Sequence, residues 1–95
     1  MTAKFSFAAA LKTIRKGHGL SQEAFSGLSS RTYVSSLERG LQSPTLNKVG
    51  DLCDVIGIHP LTLLTLAYAG GRDGSTEKLI ARVQRELADI DTEKE

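Results

Sequence analysis

Glycine closes the helical periods of this chain at short intervals, and that punctuation restricts it to a set of short helices. Apolar residues recur at spacings of three and four up to Gly17-His18-Gly19, and the pattern restarts and ends again near Gly27, Gly40, Gly57 and Gly70. Such spacing marks helices with one buried stripe, and glycine just past a stripe closes a helix C-terminus. Little of the alternating pattern that a strand needs is present. A capping Ser6 precedes a first stripe of Phe7, Ala10, Leu11 and Ile14. Ser21 caps a second, brief helix, with Leu20 and Phe25 placed as a hydrophobic staple and Gly27 interrupting it. Ser29 or Ser30 caps the third, which Gly40 terminates. Thr45 caps the fourth, with Leu46, Val49, Leu52, Cys53 and Ile56 inward and Gly57 at its end. His59 and Pro60 open the fifth, proline being tolerated in a first turn, and it carries Leu61, Leu63, Leu64 and Ala67. A turn-rich AGGRDGS stretch leads to a sixth helix over about 75–90, with Leu79, Ile80, Val83, Leu87 and Ile90. Arg82 with Glu86 and Arg85 with Asp89 are i,i+4 pairs on its polar face. The fold class is therefore all-α: five short helices in residues 1–69, then a linker and an additional C-terminal amphipathic helix in residues 70–95.

Ninety-five residues supply one small core and leave no room for a second. The net charge of +1 conceals an asymmetry. Residues 1–50 hold seven basic side chains against two acidic ones, a net +5, whereas residues 51–95 hold five against nine, a net −4. A basic front half suits a polyanion, and uneven surface solvation is the plainer alternative. One cysteine, Cys53, excludes an internal disulfide framework and suggests a reducing compartment. Its inward place on the fourth helix favours a packed core thiol over a redox sensor. The N-terminal KFSFAAALKTI loosely imitates a signal peptide, but Lys12, Arg15 and Lys16 follow at once and the apolar spacing is helical. The apolar run IGIHPLTLLTLAYAG is too short to span a bilayer and contains His59 and Pro60. The expectation is a soluble, cytoplasmic protein with no membrane contact.

The stretch SSRTYVSSLERG, residues 29–40, is unusual for a surface helix. Val34 and Leu37 form its inward stripe with help from Tyr33, while the other face carries short hydrogen-bonding side chains where Glu and Lys would normally solubilise it. B-DNA's major groove is ~12 Å wide and admits one helix, and the helix that enters must be short-sided and polar toward the base edges. Arg31, Thr32, Ser35 and Ser36 meet that requirement, arginine by bidentate bonds to guanine and the hydroxyls by donating or accepting. The preceding short helix and tight turn complete a helix-turn-helix, whose second helix is the reader.

GLSQEAF (residues 19–25), RTYVSSLERG (31–40), SPTL (43–46) and GIHPLTLL (57–64) together resemble the lambda-repressor-like, or XRE, family of helix-turn-helix regulators. The likeness runs from about Phe7 to Ala67. It implies a five-helix DNA-binding domain that works as a homodimer on a two-fold-related operator, with residues 30–40 in the major groove. Carried over by position, Arg31, Thr32 and Ser36 fall where the family reads bases. Gln22 falls where a family glutamine contacts a phosphate and braces the recognition helix. Arg39 and the 40–43 loop, with Gln42 and Ser43, fall where it meets the DNA backbone, and Arg15 and Glu38 match a family ion pair. Between LSQEAF and RTY the chain is about two residues shorter than the commonest pattern and offers Gly27-Leu28-Ser29-Ser30 in place of the usual turn glycine. That shortening predicts a truncated second helix or a later start for the third.

Tyr33 stacks on sugar-phosphate or packs on the second helix, and Lys48, like Lys12 and Lys16, is a phosphate contact or a solvated charge. No nucleophile–base pair, metal-ligand cluster or phosphate-cradling loop stands out, so neither an enzyme, a metal nor a cofactor is expected. The last helix folds back on its domain or packs against a twin, with Leu63, Leu64, Leu79, Val83 and Leu87 as candidate dimer contacts. The reading is a sequence-specific repressor. Its alternative is a protein-interaction module, such as an antitoxin or adaptor, that meets a partner protein through the C-terminal helix.

Overall fold

A computed structural model describes residues 6–28, 31–70 and 75–94, with side chains except those of Arg31 and residues 92–94. In chain order these form α1 (Phe7–Gly17), a 3-10 helix (Gln22–Phe25), α2 (Arg31–Glu38), α3 (Leu46–Ile56), α4 (Pro60–Ala69) and α5 (Ser75–Lys94). No strand occurs among the described residues.

The helix ends follow the local chemistry. Ser6 Oγ accepts from the Ala9 N–H at 3.1 Å, Thr45 Oγ1 from Lys48 N–H at 3.1 Å and His59 Nδ1 from Leu61 N–H at 3.0 Å. Each satisfies an N–H that a helix start leaves without an internal partner. Gly19, Gly40, Gly57 and Gly70, each just past a helix, all have positive φ. At Gly40 (φ +75°) the chain reverses, with Leu41 N–H donating to Ser36 C=O at 2.9 Å and Gly40 N–H to Leu37 C=O at 3.1 Å. These nested bonds make a Schellman end, and the left-handed residue inside it favours glycine.

The core is one cluster. Leu11, Phe25, Val34, Leu37, Leu52, Cys53 and Leu63 are fully buried, with Phe7, Ile14, Leu20, Leu28 and Tyr33 packed around them. α1 packs against α2 and α4, the 3-10 helix against α2 and α3, α3 against α4, and α5 against α4.

Four expectations need correction. Ser21, expected to cap the second helix, makes no side-chain capping bond, and that helix is a single 3-10 turn. Gly27 and the short connection leave no length for α-helical bonds, which is the truncation that the missing residues predict. Leu46, at the first residue of α3, is 77% exposed rather than inward, and Leu61 in the first turn of α4 is 62% exposed. Leu63, a candidate dimer contact, is fully buried in its own core and has no surface to offer a second copy. The last helix runs on to Lys94. The capping serines 29 and 30 lie outside the described residues.

Among the described residues no single helix is long and apolar enough to cross a membrane. α3 and α4 meet that length and composition test jointly across a 107° bend, but Val49, Leu52, Ile56 and Leu63 on them are the core itself.

Candidate nucleic-acid interface

α2 is held from one side only. Val34 and Leu37 bury completely against the core, whereas Thr32 is exposed and Ser35 and Ser36 are half-buried. Arg31 opens the helix, and its side chain lies outside the described part of the structure. Tyr33 packs its ring against the edge of the core, and Lys48 Nζ from α3 sits 5.7 Å from the ring centroid. That distance is within reach of a cation–π contact. The pairing of Tyr33 with Lys48 crosses two helices and leaves no periodic trace in the sequence. Arg39, Gln42 and Ser43 are exposed in the segment that leaves α2.

A polar cluster under α2 fixes its position. Arg15 of α1 donates from Nε to Glu38 Oε2 at 2.6 Å and from Nη2 to Oε1 at 2.9 Å, while Gln22 Nε2 donates to the same Oε1 at 3.0 Å. Arg15 Nη1 also donates to the Leu20 carbonyl at 2.7 Å, and the Leu20 N–H donates back to the Arg15 carbonyl at 3.0 Å. One carboxylate at the C-terminus of α2 therefore joins α1 and the 3-10 helix, and the arginine also holds the turn between those two. The side chains of Arg15 and Glu38 are only 8% and 3% exposed, so this fork is a buried pair, not a surface one. Burial pushes the Glu38 carboxyl up, but the hydrogen bonds from Arg15 and Gln22, with the charges of Arg15 and Lys12, outweigh it and hold the group below its ordinary value. The hydrogen bond to Glu38 raises the Arg15 value in turn. By contrast, the Arg82–Glu86 pair on α5 is 69% and 55% exposed and contributes little.

A carboxyl with a lowered folded value stabilises the fold fully above its ordinary value of 4.5, and that stability is lost as pH falls through the folded value. The unfolding free energy of the wild-type chain is thus expected to fall more steeply below about pH 4.5 than that of Glu38→Gln. Denaturant titrations at successive pH values read the two slopes. Equal slopes would show that Glu38 titrates as it does in the unfolded chain.

Cys53 is buried in α3, and burial, then the charge of Asp54, pushes its thiol up, which leaves it a poor nucleophile. Of the remaining dimer candidates, Leu64 and Leu79 are half-buried, while Val83 and Leu87 are exposed along α5 with Ile80 and Ile90.

Compared with protein-family models, the chain matches the one described as helix-turn-helix over residues 11–63, from the first turns of α1 into α4. No curated protein and no solved structure matches it.

Proposed function

The chain belongs to the lambda-repressor-like (XRE) helix-turn-helix family of DNA-binding regulators, and on that premise we propose that it is a homodimeric repressor that lays α2 in the major groove of its operator and occludes a promoter. The observation that carries this reading is α2 itself, anchored by Val34 and Leu37 beneath and braced at its end by Arg15, Gln22 and Glu38, with a short polar outer face. Arg31, Thr32, Ser35 and Ser36 read the bases. Gln22, Tyr33, Arg39, Gln42, Ser43 and Lys48 border the DNA backbone, and their part is affinity and register, not sequence. Gln22 also braces α2 through Glu38, so it ties the position of the reading helix to the phosphate it touches.

Selection of sites from a random duplex library tests this reading. The expected product is an inverted repeat with half-sites about 34–36 Å apart, bound with the steep salt dependence that phosphate contacts impose. In the selected site, Arg31→Ala is expected to relax base preference at one position per half-site and to cost about 1–3 kcal/mol per lost base contact. Arg39→Ala should weaken all sequences alike and lower the salt slope by about one. A changed preference pattern in Arg39→Ala would contradict its backbone assignment. The exposed apolar side chains of α5 favour a second reading, a module that acts mainly through a protein partner. Salt-insensitive binding with no enriched sequence would select it.

A further inference from the structure

We propose that α5 pairs antiparallel with α5 of a second copy of this chain, and that the far end of the partner's helix fills the groove between α4 and α5. This deepens the homodimer reading above and rests on it.

α5 is poorly served by its own domain. Its start packs on α4, yet every residue from Ile80 to Asp91 is exposed. In water, helices gain most of their stability from packing an apolar face. Ile80, Val83, Leu87 and Ile90, at 40%, 42%, 56% and 51% exposure, repeat at intervals of three, four and three. That is the a/d spacing of a helix seam made to meet another helix.

Charge indicates which helix covers it, and in which direction. Residues 75–85 carry three basic side chains and one acidic, whereas residues 86–94 carry four acidic and one basic. Parallel pairing sets like halves together; antiparallel pairing sets each half against its opposite. On the flank of the seam, antiparallel pairing centred between Val83 and Leu87 brings Arg82 alongside the partner's Glu86 and Asp89, so an arginine from each copy offsets the approach of the two Glu86 side chains across the two-fold axis. Parallel pairing instead opposes Glu86 to the partner's Asp91, a like-charge contact.

The groove agrees with that direction. It measures about 580 Å³ and is lined by Leu61, Thr62, Thr65, Leu66, Thr76 and Ile80 among others. Thr76 and Ile80 continue the seam toward the N-terminus of α5, so the antiparallel partner delivers its Ile90 end there and covers Leu61, which is otherwise 62% exposed.

Sedimentation equilibrium of the full chain, with Leu87→Asp and Leu61→Asp as separate variants, tests the seam and the groove. The wild type is expected at twice its 10.2 kDa chain mass. Leu87→Asp places a charge in the seam and should weaken association about a hundredfold or more. Leu61→Asp should weaken it less, and both variants should keep the wild-type unfolding transition of the core. For direction, Val83→Cys and Leu87→Cys chains in a Cys53→Ser background are mixed and oxidised. Antiparallel pairing yields mainly the mixed crosslink, and a predominance of Val83→Cys self-crosslinks overturns it. A dimer indifferent to Leu87→Asp overturns the seam and leaves the homodimer standing, whereas a monomeric wild type overturns both. None of these readouts uses DNA, so they stand or fall separately from the operator selection.

Discussion

Replacing Arg15 by methionine is expected to destabilise the domain by about 3–5 kcal/mol, the usual cost of leaving one partner of a buried ion pair behind. Total stability for a domain of this size is only about 5–15 kcal/mol, so the variant should be partly unfolded at modest temperature. The cause is the carboxylate that remains. Glu38 has a side chain 3% exposed and, among the described residues, keeps only Gln22 as a donor once the two arginine bonds are gone, and the Leu20 carbonyl loses its guanidinium as well. Glu38 then escapes its buried charge by taking up a proton, so burial moves its titration upward in the variant where the arginine holds it down in the wild type. The two chains should respond to acid in opposite senses. The wild type loses stability as pH falls below the ordinary carboxyl value, the variant recovers part of its deficit, and the gap between them narrows. Urea unfolding of both chains at pH 7 and near pH 4 measures that gap, and a gap that stays constant would mean that Glu38 is not the source of the loss. Replacing both members, Arg15→Met with Glu38→Leu, should restore most of the stability, because apolar pairs of similar volume often equal or exceed a buried ion pair. The double variant would still lack the acceptor that holds Gln22. If the brace on α2 matters to DNA binding, it should be stable and yet bind its operator more weakly than the wild type.

The sequence carried the helix ends more plainly than the helix faces. Ser6, Thr45, Gly40 and Gly57 state their roles locally, since a capping hydroxyl or a left-handed glycine needs only its neighbours in the chain. Burial depends on what reaches a residue from elsewhere. Leu46 has the right phase with Val49 and Cys53, but it sits at the first residue of α3 and is 77% exposed. α4 is apolar nearly all round, so its periodicity has no phase, and Leu61 could not be told from Leu63 although one is exposed and the other sealed. The same ambiguity placed Leu63 among surfaces for a second chain. The polar cluster was legible only in part. A family pattern pointed to Arg15 with Glu38 and to Gln22 near α2, but the convergence of both donors on one carboxylate oxygen depends on three elements meeting. The contact of Lys48 with Tyr33 had no local signal at all.

Phe25→Ala should be as damaging as the loss of Arg15, at about 3–5 kcal/mol for a fully buried phenylalanine, and for a reason particular to this short turn. The 3-10 helix has four residues and no side-chain bond at its N-cap, and a run this short has little hydrogen-bonded stability of its own. Phe25 is its one buried side chain, completely enclosed where the turn packs on α2 and α3. Truncation therefore removes the anchor of the turn and leaves a cavity in the core that Phe25 shares with Val34 and Leu37 instead of a defect at the surface. Phe25→Leu, which refills much of the volume, should cost well under half as much. Guanidinium unfolding of the three chains gives the comparison, with the slope of each transition unchanged if only native packing is altered. The consequence should reach the interface, because the turn also carries Gln22. In Phe25→Ala molecules that remain folded, Gln22 and Glu38 should lose their fixed spacing and operator affinity should fall by more than the unfolded fraction explains. A loss of stability below about 1 kcal/mol, in the range of ordinary surface substitutions, would show that the turn is held by something other than this ring.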